Sequence, residues 1–201
     1  MKLSELSEEE RTEILSKFYT HNSNSVKYYI RNYPDILDYE VDSIIHIAIN
    51  HNIIDIVNLS IEFLFDPERP IYDPENFILR FFSIYTKAGQ PKTTPLHQAC
   101  SDGNHEMIKI LLNANKKYKI NPDYINEISI HGDTPFHYLI IRYLSNLEND
   151  SKNNFSEKML TLIYGNRLLT IKKFLEYGPN INIKNNENKK PFDYLSNLNN
   201  V

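Results

Sequence analysis

Residues 94–115, TPLHQACSDGNHEMIKILLNAN, constrain the fold of this chain more than any other stretch, because they spell a short helix, a tight turn and a second helix. Thr94 offers a hydroxyl for the N-cap, and Pro95 takes the first helical position, where its missing N–H is no loss. Leu96, Ala99 and Cys100 fall at i, i+3 and i+4, a narrow apolar stripe that admits a close neighbour. Gly103 permits the left-handed backbone that stops the helix. Behind it Met107, Ile108, Ile110, Leu111 and Leu112 give the second helix a broad apolar face, Glu106 and Lys109 stay polar, and Asn115 is expected to close it. Two short helices with one apolar face each cannot bury themselves, so such pairs must stack.

The same grammar recurs. In residues 43–62, SIIHIAINHNIIDIVNLSIE, Ser43 stands for Thr94, His46 for His97, Ala48 for Ala99 and Asn52 for Gly103, while Ile56 and Val57 match Met107 and Ile108. A third copy opens with GDTPFHYLIIRYL at residues 132–144, and its second helix appears only at residues 166–182, NRLLTIKKFLEYGPNIN. A fourth start, KKPFDYL, occupies residues 189–195. At the other end, residues 8–18 followed by SVKYYIRNYPDI read as a degenerate first copy, with Ser7 and Glu10 spaced for a capping box.

Thr94, Pro95, Leu96, His97 and Ala99 with Gly103, then Thr134, Pro135, Phe136 and His137, and finally Gly178, Asn180, Ile181 and Asn182 carry a resemblance to the ankyrin repeat family. Ankyrin repeats are about 33 residues long, whereas the starts here, at 43, 94, 134 and 190, are 51, 40 and 56 residues apart, so each repeat carries an insertion. The resemblance implies an all-α solenoid of four to five stacked helix-turn-helix repeats with helical insertions. As one domain, 1–201, it divides into an N-terminal cap (1–38), a repeat with an insertion (39–91), the best-matching repeat (92–130), a repeat interrupted internally (131–187) and a truncated C-terminal cap (188–201). Within the first insertion, PENFILRFFSIYTKAG places Phe77, Ile78, Phe81, Phe82 and Tyr85 at helical spacing, which predicts an extra helix. In the second, NLENDSKNN reads as a polar loop, and Phe155, Met159, Leu162 and Ile163 predict a helical extension after it.

Composition narrows the function. A net charge of −4 and a pI of about 6.0 lack the footprint of a nucleic-acid binder. One cysteine forbids an internal disulfide and suits a reducing cytoplasm, and no segment approaches the roughly 20 apolar residues of a membrane span. Asn and Ile each supply about an eighth of the residues, a bias of AT-rich genomes. Ankyrin-type proteins with that bias resemble those of intracellular bacteria, large DNA viruses and some protists, so delivery into a host cytoplasm as an effector is one reading of this chain.

Enzymatic readings find little purchase. His46, His97 and His137 occupy one position in three copies; one repeat apart, they would stand about 10 Å from each other, too far to share a zinc ion. In the family that imidazole hydrogen-bonds the turn of the neighbouring repeat. Cys100 lies on a packing stripe, which predicts an inert thiol. The five glycines are scattered singly and build no phosphate loop. Neither cofactor nor metal is expected, and the chain reads as a monomeric protein-binding module. Because the resemblance assigns the first helices and the turns to the binding face, the expected contact residues are Asn50, His51, Lys92, Gln98, Ser101, Asp102, Asp133, Tyr138, Ile141 and Arg142, with Tyr138 and Arg142 as anchors. The rival readings are an inhibitor or immunity protein that occludes another protein's active site, and an enzyme built in the insertions.

Overall fold

The computed structural model describes residues 5–19, 23–33, 48–49, 51–65, 93–152 and 157–200. Ser43, His46, Asn50, Lys92 and the aromatic segment 77–85 lie outside them. The chain forms two compact units, Met1–Ser83 and Ile84–Val201. Among the described residues there are seven α-helices and no β-strand, and no helix is long and apolar enough to cross a membrane.

The first unit contains α1 (Glu8–Tyr19), α2 (Ser23–Asn32) and α3 (Ile54–Leu64), with α1 packed on α2 and α2 on α3. The expected capping box starts α1: the Ser7 hydroxyl accepts from the Glu10 N–H at 3.3 Å, and the Glu10 carboxylate accepts from the Ser7 N–H at 2.9 Å. Those Ser7 bonds hold the Glu10 carboxyl below its ordinary value. Ile56, Val57, Leu59 and Ile61 are the buried apolar side chains described in α3, and Ser60 is buried among them. Ahead of α3, Asn52 adopts φ 56°, its N–H donates to the Ile49 carbonyl (3.0 Å), and the Ile53 N–H donates to Ala48 (2.7 Å).

In the second unit the helices are α4 (Pro95–Asp102), α5 (His105–Tyr118), α6 (Pro135–Lys152) and α7 (Glu157–Leu175), with 3₁₀ turns at Tyr124–Asn126 and Pro191–Asn200. Gly103 ends α4 at φ 67°; its N–H donates to Cys100 (3.1 Å), and the Asn104 N–H donates to Ala99 (2.9 Å). This is bond for bond the turn at Asn52, so the 51-residue offset read from the sequence is geometrically correct, and Asn52 does the work of a glycine. The first helices α4 and α6 lie against each other, and α6 packs in turn on Pro191–Asn200. Phe136 of α6 ties the layers together, stacked on Phe174 of α7 at 5.5 Å and edge-on to Phe192 at 5.3 Å.

Two boundaries differ from expectation. Helix α5 does not close at Asn115 but runs to Tyr118, and Lys119 takes the left-handed conformation at φ 52°. The Asn115 side chain is committed elsewhere, accepting from the Asn121 N–H (3.0 Å) and donating to the Asn121 carbonyl (2.9 Å), which fastens the loop after the helix. The polar stretch expected to be a loop continues α6 as far as Lys152. It holds neither Gly nor Pro, so nothing in it breaks the helical ladder. The helical extension expected beyond it is the N-terminal half of α7.

Candidate partner-docking surface

Each first helix of the second unit is opened by a threonine and a histidine acting together. The Thr94 hydroxyl accepts from the His97 N–H (3.3 Å), and His97 Nδ1 accepts from the Thr94 N–H (3.1 Å), the reciprocal pattern in which glutamate is the usual partner. The other ring nitrogen, Nε2, stands 3.0 Å from the Asp133 carbonyl in the turn of the next repeat; a carbonyl only accepts, so Nε2 carries the proton. His137 repeats the scheme, with Nδ1 accepting from the Thr134 N–H (3.0 Å) and Nε2 donating to the Lys189 carbonyl (3.0 Å). In the fourth copy the carboxylate of Asp193 replaces the ring and accepts from the Lys190 N–H at 2.8 Å.

The turns so gripped form two matched fingers. Ser129 N–H donates to the Asp133 carbonyl and Gly132 N–H to the Ser129 carbonyl, both at 2.9 Å; Asn185 to Lys189 and Asn188 to Asn185 repeat these bonds 56 residues later. Gly132 and Asn188 supply the left-handed backbone at φ 75° and 61°. The fingers are cross-linked by Asn186, whose N–H donates to His131 and whose side chain donates to Ile130, both at 2.9 Å, and by Asn185, which donates to the Asp133 carboxylate at 2.7 Å.

Both histidines are fully buried. Burial holds the His97 imidazole down at about 4, and the Asp133 and Glu127 carbonyls, which favour a charged ring, offset part of that effect. Protonating Nδ1 would also set two N–H groups against each other. The folded pKa lies below the 6.5 of an unperturbed histidine, so the stability this neutral ring contributes is complete above about pH 6.5 and drains away as pH falls toward 4. Proton NMR of the native protein should therefore show the His97 ring neutral down to about pH 5, and a midpoint near 6.5 would contradict the buried arrangement.

With the turns fixed, the solvent-facing row of each first helix is determined. Gln98, Ser101 and Asp102 lie on one side of α4, and the residues 40 positions on, Tyr138, Ile141 and Arg142, lie on the same side of α6. Packing of α4 on α6 sets these rows beside each other. Gln98 donates to both carboxylate oxygens of Asp102 (3.2 and 3.1 Å), holding that charge in place. Asp102 and Arg142 are exposed and Ser101 is half-buried. Ile141 is 38% exposed. Tyr138 is half-buried, its ring edge-on to His97 at 5.2 Å, and burial pushes its phenol up. Asp133 is half-buried and engaged by Asn185, so it shapes a finger as well as bordering the surface. His51, in the first unit, is exposed at the turn before Asn52.

The sequence reading missed Ile128 and Ile130, which stand out from the finger at 51% and 50% exposure while Ser129 between them is buried. Their signal was the alternation in residues 127–131, EISIH, an edge pattern whose polar member points inward because its hydroxyl accepts from the His131 N–H at 3.2 Å. Cys100 is fully buried, and that burial pushes its thiol well above the ordinary value, as suits a packing side chain. Among the described residues no His, Cys, Asp and Glu cluster could hold a metal ion.

A family model for ankyrin repeats, in three copies, matches residues 45–148, just over half of the chain. The chain belongs to the ankyrin repeat family. Its ankyrin fold is also similar to a chain in the crystal structure of the yeast ribosomal protein Rps3 in complex with its chaperone Yar1, with a TM-score of 0.50 over 78% of this chain and 82% of that one. Identity is 17%, so the likeness concerns the fold alone. No curated protein matches this ankyrin chain.

Proposed function

We propose that the chain is a non-enzymatic protein–protein interaction module, and that its second unit docks a partner protein on the rows Gln98/Ser101/Asp102 and Tyr138/Ile141/Arg142 together with the finger residues Ile128 and Ile130. The observation that carries this reading is the combination of cross-linked turns with exposed isoleucines and an exposed guanidinium, side chains able to anchor an interface. Preorganisation matters here, since a surface whose turns are already cross-linked loses little freedom when it binds. Membership of a family of interaction modules supports the same class of role, as does the fold shared with a chain from a complex between a ribosomal protein and its chaperone.

Affinity capture with the purified chain tests it. Ile128→Asp/Ile130→Asp and Arg142→Ala should each reduce recovery of captured partners at least about tenfold while leaving the melting temperature nearly unchanged. Leu168→Asp/Leu169→Asp, on exposed residues of α7, should leave recovery intact. The opposite pattern would move the docking surface to the second helices and overturn the assignment.

A further inference from the structure

On the second helices of unit 84–201, a groove of about 480 Å³ separates α5 from the C-terminal end of α7. Its floor is apolar, formed by Ile108 and Phe174, which are 2% and 1% exposed. Its walls are basic: Lys109 and Lys116 rise from α5 and Lys173 from α7. Lys173 is satisfied by Glu176 at 3.1 Å, but neither Lys109 nor Lys116 makes an ion pair or hydrogen bond among the described residues. The one carboxylate among the described residues that line the groove is thus already used, and the site is locally positive on a chain whose net charge is −4. Tyr177 Oη bridges to Asn113 Oδ1 at 3.0 Å, which braces the two walls.

We propose that this groove takes an acidic peptide segment of a partner protein, laid along α5 with its carboxylates on Lys109 and Lys116. Those two lysines are seven residues apart on one helix face, roughly 10 Å, a span that about three residues of extended chain cover. Two unpaired ammonium groups over an apolar floor give such a segment charge to meet and a surface on which to rest its aliphatic carbons. A nucleic acid fits less well: bases need open ring faces to stack on, whereas Phe174 is buried and Tyr177 is half-buried with its hydroxyl engaged. The groove is independent of the docking surface above, since it shares no residue with it.

Fluorescence anisotropy of a labelled hexaglutamate peptide against the full chain tests the proposal. Saturable binding is expected at low salt, weakening as salt rises, and Lys109→Glu/Lys116→Glu should lower affinity at least about tenfold. The control Lys172→Glu/Lys184→Glu changes net charge equally at two residues that do not line the groove and should stay within about twofold. Ile128→Asp/Ile130→Asp should bind the peptide normally, which separates failure of this site from failure of the docking surface. Circular dichroism and melting establish that each variant is folded. Absence of binding, equal loss in the two lysine variants, or tighter Lys109- and Lys116-dependent binding of an oligothymidylate of the same charge would each overturn the proposal.

Discussion

Replacing His97 by alanine lowers the unfolding free energy by about 4 kcal/mol, the largest loss expected of any single substitution described here. The imidazole is fully buried, and its removal strands the buried Thr94 N–H, which loses its acceptor, and takes from the Asp133 carbonyl one of its two donors, leaving only the Ser129 N–H. A cavity and the loss of the Tyr138 edge contact add to that. His97→Asn should recover about half, because a short amide oxygen can still accept from the Thr94 N–H but its other end falls short of Asp133. Asp193, which caps its own turn with a carboxylate oxygen, shows that this half of the job needs no ring. Urea unfolding of the three proteins measures the ladder; equal losses for the alanine and asparagine variants would mean that the cap contributes nothing.

Gly132→Ala is expected to cost about 3 kcal/mol, and Gly178→Ala only about 1 kcal/mol, although both glycines adopt φ 75°. Left-handed backbone penalises any Cβ to a similar degree, so the difference isolates the neighbours. A Cβ at Gly132 would fall 2.7 Å from Asn186 Oδ1, 2.9 Å from Asn186 N and 3.1 Å from Asn185 Cα, forcing the two fingers apart; at Gly178 nothing lies within 4 Å. Melting temperatures of the two variants check the prediction. Matching shifts would show that the contact between the fingers adds no stability.

Much of the architecture was legible because it is written in residues with narrow physical roles. Thr-Pro at a helix start, a histidine three residues after the threonine, and a glycine or asparagine at a left-handed stop identify the repeats, and Asn52 and Gly103 share a backbone conformation despite sharing no chemistry. The extent of α6 was hidden, since Asn, Asp and Ser are favoured in turns, yet each costs a helix interior little and a helix already under way carries them along. The reciprocal cap was half legible: the histidine's reach into the next repeat followed from the family, but its bond to the Thr94 N–H did not, because the usual partner there is Glu or Gln. Asparagine abundance read as a trace of genome composition, yet Asn115, Asn126, Asn185 and Asn186 each bond the backbone of a turn. On the proposed docking surface the helix rows followed from the family resemblance, which assigns the first helices to that face, whereas Ile128 and Ile130 did not, because apolar residues in an alternating stretch are ordinarily assigned inward.

The imidazole contacts run in one direction: each ring reaches toward the C-terminus, where it finds the carbonyl of the turn that follows. Support in the second unit is consequently asymmetric. Excising a downstream turn orphans the ring before it, while excising an upstream helix leaves every later ring with its acceptor. Damage at Lys189 would thus be felt first at His137, and damage at Asp133 first at His97.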